Sequence, residues 1–202
     1  MKDFEYWWNH AYTWESYKEL IKELLEERKT TGTQQSEELY AYAKLNWQRM
    51  QRIEKTFKID IELSDLLIKP SLQPFKVLVI TEGWCGDAAQ SVPVAAEMAR
   101  LFPEKIDFKV ILRDSDTELI DQFLTKGGRS IPIFIFLDEN FQLLGHWGPR
   151  PKEAQALFLE MKAAQLPFDE LAEKLHGWYA KDKTHTLQKE VADLITSAVL
   201  KQ

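Results

Sequence analysis

The sequence predicts an α/β fold, in which helices surround a mixed central sheet of four or five strands. Two observations lead to this prediction. From residue 76 onward, short apolar segments with strand character alternate with segments of helical periodicity. Residues 131–137 and 141–147 are then two apolar runs joined by a short polar connection, which suits an antiparallel hairpin. With 202 residues, 45% of them hydrophobic, the chain is long enough to bury one core of this kind.

The order of the predicted elements also indicates the topology. Apolar side chains recur at helical spacing in two N-terminal segments, residues 13–29 and 36–57. The pattern then changes to a strand, a helix, a strand and a helix, over residues 76–81, 88–102, 106–112 and 116–126. This series implies two parallel strands joined by a right-handed crossover. Further helices are predicted after the hairpin, over residues 150–164, 167–180 and 185–200.

These patterns divide the chain into three parts. Residues 1–71 are predicted to form a helical extension that packs on the core. Residues 72–164 carry the alternating strands and helices and form the central domain, and residues 165–202 form a second helical extension. If the helices of the extensions do not all pack on the domain, they could build a homodimer.

Composition argues against several classes of function. The formal net charge of −6 provides no basic stripe for phosphates, so we expect no nucleic-acid partner. No stretch approaches the roughly 18 apolar residues of a membrane span, and the N-terminus lacks the pattern of a signal peptide. A single unpaired cysteine is unfavourable in an oxidising compartment, which predicts a cytoplasmic protein. The four histidines lack metal-ligand spacing, so we expect neither a metal nor a bound cofactor.

Cys85 is the only cysteine of the chain, and it lies between a predicted strand and a predicted helix. Free backbone N–H groups and the dipole at a helix start lower the pKa of a thiol, whereas the carboxylate of Asp87 raises it. At a separation of about 6 Å the two effects are comparable, on the order of 1 kcal/mol each. The sequence therefore leaves open whether Cys85 is reactive or an inert buried thiol.

Several segments around this cysteine resemble the thioredoxin superfamily over residues 72–164. They are Trp84-Cys85-Gly86, Pro93 inside the following helix, Arg129-Ser130-Ile131-Pro132, and Gly145 to Gly148 in the last strand. The chain is most similar to an uncharacterised bacterial thioredoxin-like group with a Trp-Cys-Gly-Asp-Ala active-site segment. This resemblance implies a thioredoxin-like fold in which the Ile131–Pro132 peptide bond is cis and packs opposite Cys85.

Two residues depart from the pattern of thioredoxin proper. Ala88 stands where the resolving cysteine would be, and Val79 replaces a buried aspartate that handles protons during exchange. The two losses are coherent, because without a resolving thiol there is none for that base to deprotonate. A dithiol reductase within one chain is therefore excluded.

The resemblance also implies roles for the residues around Cys85. Trp84, Gly86, Arg129, Ile131 and Pro132 would form a surface that binds an extended substrate peptide, partly through free backbone groups of Ile131. Asp87 has two interpretations: an acid that complements the helix dipole, or a catalytic group that moves protons to and from the thiol. Glu82 is a weaker candidate for the second role and is expected in a loop facing solvent.

We therefore predict a thiol-redox protein that acts through Cys85 alone and forms a mixed disulfide with an oxidised protein or small thiol. An external thiol, either a low-molecular-weight co-substrate or another protein, must then recycle it. The alternative is a non-catalytic thioredoxin-fold module that binds proteins or peptides. A metal cluster shared with a small thiol, as in monothiol glutaredoxins, is disfavoured because their glutathione-binding patterns are not evident.

Overall fold

Four strands form the central sheet of the computed structural model, which describes residues 2–199. They are β1 (Phe75–Thr81), β2 (Ile106–Leu112), β3 (Ile133–Leu137) and β4 (Leu143–Trp147), in the order β2-β1-β3-β4. Strand β1 is parallel to β2 and antiparallel to β3, and β3 and β4 form the antiparallel hairpin. The predicted α/β class, the parallel pair and the hairpin are confirmed.

Nine α-helices accompany the strands in the part of the chain that the structure describes. They are α1 (Phe4–Asn9), α2 (Trp14–Glu26), α3 (Glu37–Thr56), α4 (Ile61–Leu67), α5 (Gly86–Leu101), α6 (Thr117–Ile120), α7 (Lys152–Ala163), α8 (Phe168–Asp182) and α9 (His185–Leu194), which continues as a π-helix (Ile195–Val199). The last residue of the predicted helix over 185–200 lies outside the described residues. Side-chain oxygens of Asp3, Thr13 and Ser36 cap the first three helices, since each accepts a backbone N–H.

The helix predicted over residues 116–126 is a single turn in the structure. Helix α6 ends at Ile120, and the chain then turns so that Thr125 and Gly128 exchange two backbone hydrogen bonds of 2.9 and 3.0 Å. Leu119, Ile120 and Phe123 are all buried, which the turns achieve without a long helix. The apolar spacing that predicted the helix was real, but it reflects burial of a compact loop.

The N-terminal extension is part of the main hydrophobic core. Trp7 and Trp8 of α1 and Tyr17 of α2 are buried in one cluster with the side chains of β1 and β3. Tyr12 exchanges two backbone hydrogen bonds with Val110, at 2.7 and 2.8 Å, and so pairs with the outer strand β2. This pairing covers part of an edge that would otherwise present free backbone groups.

The C-terminal extension packs in two places. Leu187 and Val191 of α9 join the main core, whereas α7 and α8 share a smaller cluster built from Ala154, Met161, Leu171, Leu175 and Tyr179. The division of the chain at residues 72 and 164 stays a prediction. Between residues 2 and 199, no helix has the length and apolar character needed to cross a membrane.

If α1 is an integral part of the core, truncating its inner tryptophan will destabilise the whole protein. Trp7 is 1% exposed and its indole N–H donates to Asp116 Oδ2 at 2.8 Å. We expect Trp7→Ala to lower the free energy of unfolding by about 3–5 kcal/mol in urea denaturation.

Tyr6→Ala on the same helix is the matched control, since Tyr6 is 39% exposed. We expect this variant to lose less than about 1 kcal/mol. Equal losses in the two variants would contradict a core role for α1.

Candidate functional site

The loop between β1 and α5 is held by residues distant in sequence. Thr31 Oγ1 accepts the backbone N–H of Gly83 at 2.7 Å, and Asn46 Nδ2 of α3 donates to the carbonyl of Gly83 at 3.2 Å. Asn46 is fully buried, whereas its neighbour Leu45 is 42% exposed. Helix α3 thus turns an amide toward the core because the loop needs a hydrogen-bond partner there.

Cys85 occupies the N-cap position of α5, directly after this loop. Its side chain is buried, and the thiol donates to the carbonyl oxygen of Ile131 with an Sγ–O distance of 3.4 Å. The Ile131–Pro132 peptide bond is cis in the structure. The structure therefore brings Cys85, Ile131 and Pro132 together, and the thiol uses the Ile131 carbonyl as its acceptor.

Burial dominates the acidity of this thiol. It raises the pKa of Cys85 to about 12, and the negative charge of Asp87 acts in the same direction. Backbone N–H groups of Ala88 and Asp87 and the positive charge of Arg150 lower the pKa, but by less. Cys85 is consequently a protonated thiol at neutral pH.

Asp87 is buried and has both of its carboxylate oxygens engaged. Tyr179 of α8 donates its hydroxyl to Oδ1 at 2.8 Å, and Arg150 binds Oδ2 at 2.6 Å. Burial raises the pKa of Asp87, and the charge of Arg150 and the hydrogen bond from Tyr179 oppose that effect. Asp87 is thus held in a buried ion pair. The thiol of Cys85 donates to the Ile131 carbonyl and not to this carboxylate.

Arg150 itself is fixed by the helix that follows it. Its Nη1 donates to Gln155 Oε1 at 3.0 Å, and its guanidinium lies 3.9 Å from the ring centroid of Phe158. Both contacts come from α7. These two contacts hold the guanidinium of Arg150 in one orientation, in which it lies over the Phe158 ring and binds Asp87.

Gly86 is a point of close approach between α5 and α8. A Cβ atom at this position would lie 2.9 Å from Nε2 of His176, so a side chain there would force the imidazole to move. Nδ1 of His176 pairs with Gln90 Nε2 at 3.1 Å. Burial and the charges of Arg49 and Arg52 lower the pKa of His176 to about 4, which keeps the imidazole neutral.

The remaining predicted peptide-binding residues have partners of their own. Trp84 is half-buried, and the guanidinium of Arg113 lies 4.8 Å from its ring centroid. Arg129 makes a bidentate ion pair with Asp121, at 2.6 and 2.8 Å, on the surface. A substrate that used Arg129 would have to compete with Asp121.

The expectation that Glu82 faces solvent is wrong. Its side chain is 1% exposed, and Oε1 accepts the backbone N–H of Asp114 at 2.9 Å. Oε2 has no hydrogen-bond partner among residues 2–199, nor do the nearby hydroxyls of Thr30 and Thr81. Burial raises the pKa of Glu82, so this carboxyl keeps its proton to a higher pH than an exposed glutamate does.

Four residues of the site were not identified from the sequence: Asn46, Arg150, His176 and Tyr179. Each contacts the cysteine segment from an element far away in the chain, and no local pattern marks it. Within the described chain, no three His, Cys, Asp or Glu side chains come together in a way that could hold a metal ion.

Comparison with known proteins matches this arrangement to a family. A family model described as thioredoxin matches residues 32–165. The chain belongs to this thioredoxin family. The finer assignment to a bacterial group with a Trp-Cys-Gly-Asp-Ala segment stays a prediction. No match was found among curated proteins.

Two solved structures share the fold. The crystal structure of a protein of unknown function from Pseudomonas aeruginosa is 18% identical, with a TM-score of 0.63 over 98% of this chain and 99% of that one. An HIV epitope scaffold is 23% identical, with a TM-score of 0.53 over 78% and 86% of the two chains. The first likeness covers nearly the whole chain, so the shared fold extends beyond residues 72–164.

The ion pair of Asp87 predicts how the thiol can be made more acidic. Asp87→Asn removes the nearby negative charge and leaves the positive charge of Arg150, so the pKa of Cys85 should fall. We expect iodoacetamide to alkylate the variant at least about tenfold faster at pH 8, and the free energy of unfolding to drop by about 3–5 kcal/mol.

Tyr179→Phe is the control, because it removes a hydrogen bond from Asp87 and keeps both charges. Its alkylation rate should change by less than about threefold. Circular dichroism checks that each variant is folded during the measurement. An Asp87→Asn rate equal to that of the wild type would refute the electrostatic account.

The buried carboxyl of Glu82 predicts a pH dependence of stability. An unfolded glutamate titrates near about 4.3, and the pKa of Glu82 in the folded protein is higher. Between the two values the folded state keeps a proton that the unfolded state has released, so stability falls as pH rises through this window. Glu82→Gln has no carboxyl to ionise, so its stability should not fall in this window. Relative to the wild type, the variant should become more stable as pH rises.

Urea denaturation at several pH values between about 4.5 and 7.5 measures the effect. Glu62→Gln, at an exposed position of α4, is the control and should follow the wild type. Parallel pH curves for the wild type and Glu82→Gln would show that Glu82 carries no such proton.

Proposed function

We propose that this thioredoxin-family chain is a cytoplasmic thiol-redox protein that acts through Cys85 alone. The observation that carries the proposal is the placement of the only thiol in the sequence. It lies at the N-cap of α5, with Sγ 3.4 Å from the carbonyl of Ile131 beside Pro132. This junction presents backbone N–H groups to a sulfur anion, and Ile131 and Trp84 flank it.

The proposed chemistry is thiol–disulfide exchange. The thiolate of Cys85 attacks one sulfur of a disulfide in an oxidised protein or small thiol. The substrate S–S bond breaks, a Cys85–sulfur bond forms, and the departing sulfur leaves as a thiolate. A thiol of another molecule then attacks the adduct, takes over the disulfide and returns Cys85 to its starting state. Neither Ala88 nor any other residue of this chain can supply that second thiol.

The rate of the first step depends on ionisation of Cys85. A thiol with a pKa of about 12 is ionised in only about one molecule in 100,000 at pH 7. Burial has the largest effect on this pKa, and the buried ion pair modulates it, since Arg150 lowers the pKa and Asp87 raises it. A substrate that neutralises Asp87 while Arg150 stays in place would lower the pKa of Cys85 and activate the thiol. In this role Asp87 is a positioning and electrostatic residue.

A non-catalytic module that binds proteins or peptides is the second candidate. The observation that favours it is the burial of Cys85, which is 8% exposed and protonated at neutral pH. In such a module Trp84, Arg129 and the backbone of Ile131 would contact the partner, and the cysteine would only fill space.

Adduct formation separates the two candidates. We expect the folded full chain, incubated with cystamine at pH 8, to form one mixed disulfide that intact-mass spectrometry detects. Added glutathione should release this adduct faster from folded protein than from protein unfolded in urea, because the site promotes exchange. The Cys85→Ser variant has no thiol and should show neither step.

Two outcomes would end the redox proposal. One is that unfolded protein reacts while folded protein forms no adduct. The other is that glutathione releases the adduct more slowly from folded protein than from unfolded protein. Either result favours the binding module.

A further inference from the structure

A cavity of 450 Å³ lies between the end of α3, the N-terminal part of α5 and the junction of α8 with α9. This volume falls within the range of about 300–1,000 Å³ that small-molecule sites occupy. Its polar and charged lining consists of Arg52, Lys58, Gln90, Lys183 and His185 together with two threonines.

The cations of this cavity lack acidic partners. No carboxylate in the described part of the chain pairs with Arg52, Lys58 or Lys183. Arg52 donates only to the amide oxygen of Gln90, at 3.5 Å, and His185 is the one member with a carboxylate neighbour, Asp60 at 2.7 Å. In a chain of net charge −6, these three cations line one cavity together.

A further arginine strengthens the positive field. Arg49 lies one turn before Arg52 on α3, is half-buried, and pairs with the neutral amide of Asn46 at 2.8 Å. Burial and the charge of Arg52 lower the pKa of Arg49. Two guanidinium groups that repel one another, with no carboxylate between them, are an arrangement that a bound anion would stabilise.

The backbone at the rim of the cavity is held in an uncommon conformation. Lys183 and Thr184 both have left-handed φ values, 52° and 73°, which are rare for a β-branched residue such as threonine. The two residues turn the chain from α8 into α9, and both line the cavity. Because α9 begins at His185, its positive helix end also lies in this wall.

Apolar groups also line the cavity. They are Ile53, Phe57, Ala180 and Tyr179. A ligand that filled the cavity would therefore meet both charged and hydrocarbon groups. This combination suits an organic molecule with a cluster of negative charges better than a monatomic ion.

We propose that this cavity binds a small organic anion that carries at least two negative charges, as clustered carboxylates or as a phosphate group. Arg52, Lys58 and Lys183 hold the charged end by charge-assisted hydrogen bonds. The proposal does not depend on redox chemistry at Cys85, since no atom of the cysteine lines the cavity.

Calorimetric titration of the full chain at low salt tests the proposal, with citrate as the carboxylate probe and inorganic pyrophosphate as the phosphate probe. We expect at least one probe to bind more tightly than about 1 mM. The probe that binds more tightly identifies the charged group of the ligand. Arg52→Gln and Lys183→Gln should each weaken binding at least about fivefold.

Lys44→Gln is the matched control, because it removes one positive charge from an exposed position of α3 away from the cavity. It should change binding by less than about twofold. Binding that neither Arg52→Gln nor Lys183→Gln weakens would place the anion elsewhere and overturn the proposal. The proposal also fails if neither probe binds. Circular dichroism of each variant confirms that it is folded.

Discussion

The buried ion pair between Asp87 and Arg150 is the interaction on which the arrangement of this site depends. A carboxylate removed from water loses several kcal/mol of hydration unless a counter-charge and hydrogen bonds replace it. Arg150 supplies the charge from the segment after β4, and Tyr179 supplies a hydroxyl from α8. The carboxylate of Asp87 therefore links the first turn of α5, the segment after β4 and the C-terminal extension.

This ion pair lies beside the thiol, but it does not alone decide the acidity of Cys85. A helix start favours a thiolate by about 0.3–2 kcal/mol. A rise of the pKa of Cys85 from 9.0 to about 12 corresponds to about 4 kcal/mol in favour of the thiol. Burial is the largest contribution to that rise, so desolvation outweighs the helix start. The Asp87–Arg150 pair has a smaller effect on the thiol pKa, because its two charges shift that pKa in opposite directions.

The sequence predicted the parts of the molecule that depend on local patterns. Strand β2 was predicted at its observed bounds, and the resemblance of the cysteine segment led to the correct family. Local patterns failed where a distant segment determines the environment. Glu82 lies in a loop, as predicted, but it was expected to face solvent, and Asp114 and the N-terminal extension enclose it. No local pattern marks Asn46, which is buried and donates to the carbonyl of Gly83. Solvation is a property of the assembled fold, and for this reason the pKa of Cys85 could not be predicted either.

One face of α8 connects the cysteine segment with the cationic cavity. His176 and Tyr179 are three residues apart on the same side of α8, and Lys183 is the residue that directly follows the helix. His176 contacts Gly86, Tyr179 binds Asp87, and Tyr179 and Lys183 line the cavity. Gln90 links the same elements, since it lines the cavity and pairs with His176. A shift of α8 would therefore alter the hydrogen bond to Asp87 and the position of the Lys183 charge together. The C-terminal extension is thus a structural part of the environment of Cys85, in addition to its contribution to stability.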